Sequence, residues 1–341
     1  MTRIPVIIDT DPGLGEPGSD IDDGLAIALA LRSPELDVLA LTIVNGNVDV
    51  HTGTHVARDL LDRLGVPGLP VVQGASEPLE RDMRAVRSLF AAVLGATESP
   101  APLELRGPST EEHAADYLVR IAAQRPGEVV VIAIGPMTNL AMAIQRDPSF
   151  AGNVRELVLM AGSATGYAQN ITVVGDLNAY ADPEALDIVL RSGASIRMVG
   201  IDQTSQVMLT HADAESLRRT GDPFAEYAAN CTDGWIDFLG RAFPGREEHR
   251  TACFLHDPLV IAAVTHPHLL TWQLADVQAE TESELARGLV VANRGLALEP
   301  AGPPNAEVAI ATDVDGFRRL FLSRISRETL THIHNSCTSK E

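Results

Sequence analysis

The sequence has 341 residues, 45% of them hydrophobic and 21% charged, with a formal net charge of −20. That length suits one large α/β core or two smaller ones, and the composition is that of an ordinary globular enzyme. So acidic a chain repels phosphate backbones and anionic lipid, which sets nucleic acid and membrane aside as partners. No apolar run reaches spanning length. The three cysteines, Cys231, Cys253 and Cys337, are odd in number and lack C-x-x-C spacing. They speak against a disulfide framework or thiolate metal site and for a reducing, cytoplasmic setting. The first residues enter a strand-like run with no secretory h-region ahead of it.

Residues 4–8 form a short apolar strand ending in Asp9-Thr10-Asp11-Pro12-Gly13. Helix formers occupy residues 21–32 and stop before Pro34; residues 38–44 read as a strand running into Asn45-Gly46-Asn47. A helix over residues 50–64 closes at Gly65 with Pro67 beyond it, the expected stop signal. Val71-Val72 is a brief strand, and a helix over residues 111–123 is opened by the capping box Ser109-Thr110-Glu111-Glu112. Strands follow at residues 129–134, 157–160 and 196–199, separated by helices at 137–145 and 183–191. The Pro-rich stretches 98–108 and 300–304 read as surface loops. Continuous apolar strands alternating with helices predict an α/β fold: a mostly parallel central sheet flanked by helices on both faces. One domain over residues 1–330 and a C-terminal tail over 331–341 are expected.

Open parallel sheets bind ligands beyond the carboxyl ends of their strands. Here those ends carry Asp9 and Asp11, Asn45 and Asn47, the run Gly135-Pro136-Met137-Thr138-Asn139, and Asp202. Asp-Pro-Gly by itself is ordinary turn chemistry, and acids are ordinary at helix N-termini. Two acidic pairs, Asp9/Asp11 and Asp22/Asp23, flanking one glycine-rich loop point further. Converging carboxylates need a positive charge between them, and oxygen donors without His or Cys suit calcium or magnesium better than zinc.

These residues resemble a known family. Ile8-Asp9-Thr10-Asp11-Pro12-Gly13 followed by Asp22-Asp23-Gly24 is similar to D-x-D-P-G-x-D-D-A, the signature of the inosine-uridine nucleoside hydrolases. Thr42 to Asn47, Gly135 to Asn139, Val158 to Gly162, Asn170 to Asn178, Asp182 to Ala185, Val199 to Thr204 and His256-Asp257-Pro258 resemble that family's further motifs, in order. The resemblance spans about residues 4–320. It implies a Rossmann-like nucleoside hydrolase fold with the active site at the carboxyl ends of the strands, and hydrolysis of the N-glycosidic bond of ribonucleosides. It further implies Ca²⁺ held by Asp11, Asp23, Asp257 and the backbone carbonyl of Thr138, with Asp11 as general base on a water whose pKa the ion lowers. By the same resemblance Asp22, Asn47, Asn170, Asp176 and Asn178 grip the ribose, His256 is the acid for the leaving base, and Asp9 orients the ligands from behind. A homodimer or homotetramer is the family's usual assembly. Trp235 and Phe238, with Phe243, lie ahead of His256 and are candidates to stack on the base.

The sequence departs from the family pattern in three places. Residues 14–21 stand where the signature has one residue, Asp176 stands in place of Glu, and residues 79–94 lack the family's His-Gly segment. The inserted stretch is expected to bulge at the mouth of the cleft, with Glu16 and Asp20 read as solvated loop acids. Two alternatives remain open: a haloacid-dehalogenase-like Mg²⁺ phosphatase, which also starts with a strand and D-x-D, and a non-catalytic nucleoside-binding protein of the same fold.

Overall fold

The structure, a computed structural model, describes residues 3–84, 112–166, 170–297 and 300–326. A nine-stranded sheet runs through the molecule. Six parallel strands form its larger part: β1 (Ile4–Thr10), β2 (Leu36–Ile43), β3 (Val71–Gln73), β4 (Val130–Ala133), β5 (Glu156–Met160) and β6 (Ile196–Val199). β7 (Met208–Thr210) and β8 (Ala252–Phe254) pair separately; β9 (Leu270–Ala279), β10 (Val290–Asn293) and β11 (Ala306–Thr312) complete the sheet. The order is β10-β9-β11-β6-β5-β4-β1-β2-β3. β11 joins β6 in parallel, whereas β9 runs antiparallel to both of its neighbours. The predicted α/β class and mostly parallel sheet therefore hold, with an antiparallel edge that the strand pattern of the first half did not reveal.

Strand residues alternate between two cores, as the two-residue period of a strand requires. Val6 and Ile8 of β1, Val130 and Ile132 of β4, and Val158 and Met160 of β5 enter one core. Ile7, Val131, Ala133, Leu157 and Leu159 enter the other. Helices fill both faces: α1 (Asp22–Leu31), α2 (Val50–Arg63), α3 (Ala114–Gln124), α4 (Thr138–Arg146), α5 (Phe150–Asn153), α6 (Leu177–Ala181) and α7 (Pro183–Leu190) in the first part of the chain. α8 (Ile201–Thr204), α9 (His211–Arg218), α10 (Pro223–Ala242), α11 (His256–Thr265) and α12 (Val314–Ile325) follow. All ten residues of α1 are buried, as expected of a helix that is apolar all round and enclosed by other elements.

The helix predicted from residue 111 begins at Ala114, with the His113 imidazole accepting from the Ala115 N–H at 3.1 Å. Ser109, Thr110 and Glu111 of the predicted capping box lie outside the described residues, as do the stretch 98–108, Cys337 and the tail 331–341. Among the described residues no helix is long and apolar enough to cross a membrane.

Candidate active site

Strand order reverses between β1 and β4, the two central neighbours from which the chain winds outward in opposite directions. Such a reversal opens a crevice at the carboxyl ends of the strands. A pocket of about 340 Å³ lies here, and Asp22, Asn47, Asp176, Asn178, His256 and Asp257 are among its lining residues. Side chains separated by more than two hundred positions in sequence meet in it.

Asp11 leaves the end of β1 fully buried. Its Oδ2 accepts the Asn47 N–H at 2.6 Å, while its Oδ1 is buried with no hydrogen-bond partner. Two glycines make room for this carboxylate: a Cβ on Gly46 would lie 1.9 Å from Oδ2, and one on Gly135 would lie 2.6 Å from Oδ1. Asp23 accepts from the Thr10 hydroxyl, from the Asp11 N–H at 3.1 Å and from Asn47 Nδ2 at 2.9 Å. Asp22 reaches a second segment of the chain. Its Oδ2 accepts the N–H groups of His256 and Asp257 at 3.1 and 3.3 Å, so a carboxylate from α1 caps the N-terminus of α11.

Asp22, Asp23 and Asp257, all buried, bring one carboxylate oxygen each to within 4.8 Å of one another. Burial, reinforced by neighbouring carboxylates, raises Asp11, Asp22 and Asp257 well above the usual carboxylate range. Asp23 is raised by burial as well, against hydrogen bonds that lower it. Behind them Asp9, pushed up to about 7 by burial, accepts from Thr42 Oγ1 at 2.5 Å and Asn139 Nδ2 at 2.8 Å. Repelling buried carboxylates, with an unsatisfied oxygen on each of Asp9 and Asp11, and no sulfur or imidazole among them make a donor set that fits a hard divalent cation.

Thr138 is not among the residues that line the pocket. It is the first residue of α4, where a backbone carbonyl is directed into the helix's own hydrogen bonds, and its hydroxyl donates to Asp182 Oδ2 at 2.8 Å. The carbonyl that lies at the pocket belongs to Ile134, just beyond β4; it accepts from Asn178 Nδ2 at 2.8 Å. The G-P-M-T-N motif brackets both residues, and only the point at which strand becomes helix tells them apart.

Asp176 and Asn178 reach the pocket while doing structural work. Asp176 caps α6, accepting from Asn178 N–H and Ala179 N–H at 2.9 and 3.1 Å, and its second oxygen accepts the Gly162 N–H at 2.6 Å. Asn178 Nδ2 also donates to the Met160 carbonyl at 3.0 Å, tying the ends of β4 and β5 together. The shorter Asp is thus matched to a capping role at the floor of the site. Asn170 lines the pocket from an exposed position. Asp202 does not line it and instead accepts from the Ala164 and Thr165 N–H groups at 3.1 and 3.0 Å.

Trp235 and Phe238 on α10 stack with ring centroids 5.1 Å apart and planes at 13°, and both line the pocket. His256 also lines the pocket, its Nδ1 2.7 Å from the Thr204 hydroxyl, and burial lowers its pKa to about 4. Sequence reasoning missed Phe254 and His249 on this apolar side; neither carries a motif. Asp20, read as a solvated loop acid, is half-buried at the pocket. Gly18, Ser19 and Asp20 of the inserted stretch line the pocket, and burial pushes Asp20 up to about 6. The loop is pinned there. Leu14 packs where a Cβ on Gly24 would otherwise sit, 2.5 Å from the Leu14 Cβ, and its carbonyl accepts from Tyr227 at 3.3 Å.

Comparisons with known proteins concern the chain as a whole. Residues 6–319 match the family described as inosine-uridine preferring nucleoside hydrolase. A probable uridine nucleosidase of Oryza sativa is 36% identical over 298 residues, 86% of each chain. The solved structure of a plant nucleoside hydrolase superposes with a TM-score of 0.80 at 32% identity, covering 95% of this chain and 99% of that one. A purine-preferring ribonucleoside hydrolase from Gardnerella vaginalis gives 0.80 at 30% identity, over 94% and 98%.

Proposed function

The chain belongs to the inosine-uridine preferring nucleoside hydrolase family and is a nucleoside hydrolase that cleaves the N-glycosidic bond of ribonucleosides, and we propose that it does so with calcium at the Asp11, Asp23 and Asp257 carboxylates. The carrying observation is the Asp11 carboxylate: one oxygen is held by Asn47, the other is buried without a partner, and Asp11 is close enough to Asp22, Asp23 and Asp257 for their charges to act on one another, those three forming a buried cluster that could hold a cation. Ile134, in place of Thr138, is the backbone carbonyl assigned to the ion's shell. The bound ion supplies charge that orients the sugar hydroxyls and makes a nearby water more acidic.

The protein's own groups then divide the work. Asp11 takes the proton from the attacking water. Asp22 and Asn47 accept and donate to the ribose hydroxyls from one side, and Asn170, Asp176 and Asn178 from the other. As the C–N bond lengthens the ribose gains oxocarbenium character, and these carboxylate and amide oxygens stabilise that positive charge. The stacked Trp235 and Phe238 give the base an apolar, water-poor seat. His256 faces the base and meets the charge that develops on it.

The test is release of reducing sugar from uridine, inosine and 4-nitrophenyl riboside, before and after chelation, with calcium or magnesium restored. Turnover lost with chelator and regained with calcium supports the proposal. Chelator-resistant turnover removes the ion from it.

A further inference from the structure

We infer that Thr204 is a positioning residue for the leaving-group side of the reaction: its hydroxyl donates to Nδ1 of His256 and holds the imidazole proton on Nε2. The inference rests on the reading that His256 serves the departing base.

The geometry is a contact of 2.7 Å between two buried side chains, Thr204 Oγ1 and His256 Nδ1. A neutral imidazole carries one proton, and a hydroxyl carries one. Either Thr204 donates and the ring proton is on Nε2, or the ring donates from Nδ1 and the hydroxyl proton must find another acceptor. Threonine in a helix commonly gives that proton to a carbonyl one turn back. Here that carbonyl is Gly200's, and it already accepts the Gln203 N–H at 2.9 Å and the Thr204 N–H at 3.1 Å, which uses both of its lone pairs. The Ile201 carbonyl accepts one N–H, that of Ser205 at 2.9 Å, and the Thr204 hydroxyl makes no hydrogen bond to it. Among the described residues, His256 Nδ1 is the only partner of the Thr204 hydroxyl. The opposite tautomer would leave a buried hydroxyl proton unpaired, which shifts the equilibrium toward Nε2–H by roughly tenfold or more.

With Nδ1 committed to Thr204, Nε2 is the ring nitrogen left for the pocket that His256 lines. The Phe254 ring, 5.6 Å away centroid to centroid and inclined at 40°, packs beside the imidazole and limits its rotation. A departing base gathers negative charge on its ring nitrogen and carbonyl oxygens. An Nε2–H donor meets that charge, whereas the other tautomer would set a lone pair against it. Thr204 touches no substrate; it acts through His256.

The test uses the full-length protein labelled with ¹⁵N at histidine, with His256→Gln identifying the His256 signals. Wild type should show an unprotonated Nδ1 and a protonated Nε2. Thr204→Val, which keeps the shape and removes the hydroxyl, should give a mixture of tautomers, and Thr204→Ser should restore the wild-type pattern. In kinetics, Thr204→Val should lower kcat for uridine and inosine about tenfold with little change in KM. With 4-nitrophenyl riboside, whose leaving group needs no donor, it should change less than about twofold. A wild-type spectrum with the proton on Nδ1, equal losses on both substrate types, or a Ser variant as impaired as Val would overturn the inference. His256→Ala separates it from the underlying reading: equal losses there remove His256 from the base side, while the spectra still decide which nitrogen carries the proton.

Discussion

Removing one carboxylate from the buried cluster should make the metal-free protein more stable and the calcium-loaded protein less so. The perturbation is Asp257→Asn, nearly isosteric at a buried position. The nearest oxygens of Asp22, Asp23 and Asp257 lie within 4.8 Å of one another. At an effective dielectric of about 20, two full charges at that distance repel by roughly 3.5 kcal/mol. Part of this is already relieved in the metal-free protein, because burial and the neighbouring acids raise these carboxyls and favour their protonated forms. A net gain of about 1–3 kcal/mol remains, a rise in Tm of roughly 1–4 °C for a chain of this size. Calcium reverses the order. Ligand at about 100 times its Kd stabilises the wild type by about 2.7 kcal/mol, and a variant lacking one ligand should lose most of that gain. Thermal melts of both proteins, with chelator and across a calcium series, should therefore cross. The reasoning fails if Asp257→Asn melts below wild type in chelator and gains as much from calcium.

Asp11→Asn should abolish turnover of every nucleoside while circular dichroism and solution mass stay unchanged; substantial residual activity would take the base role away from Asp11. Gly24→Ala should expel Leu14, since the new Cβ would stand 2.5 Å from the Leu14 Cβ and 2.6 Å from its Cδ2. The expected loss is about 1–3 kcal/mol, seen in urea unfolding together with faster proteolysis of residues 14–21 and lower kcat/KM. Glu35 accepts from Arg324 through two hydrogen bonds of 2.8 Å, which hold its pKa below the ordinary 4.5. A depressed carboxylate contributes stability that is present above its unfolded pKa and lost as pH falls through the folded one. Glu35→Gln should therefore cost about 1 kcal/mol near neutrality, and the gap to wild type should close below about pH 4.5; a gap that is constant down to pH 3 would refute it.

The alternation of apolar strands and helices in the first two hundred residues was legible because strand and helix periods are local properties of the chain. The paired acids were legible for a related reason: Asp11 lies at a strand end and Asp22 and Asp23 at a helix start, places that sequence patterns mark. What lies after β6 was not read, since β9 to β11 are partly exposed strands paired antiparallel with distant partners. Partner choice there depends on which sheet edge is free, and no local window contains that.

The sequence by itself determined the family and the chemistry of the donor set, because side-chain type and order survive without coordinates. Only the tertiary structure decided which groups face the pocket. It set Thr138 as the first residue of α4, away from the pocket lining, and put Ile134, just beyond a strand end, at the pocket. It turned Asp22 toward α11, 234 positions away, where helix N–H groups need an acceptor. It also brought Gly18, Ser19 and a half-buried Asp20 of the inserted stretch to the pocket, with Leu14 packed against Gly24. Each of these outcomes depends on a contact between segments whose proximity is set by strand order, a property of the whole fold that no single motif carries.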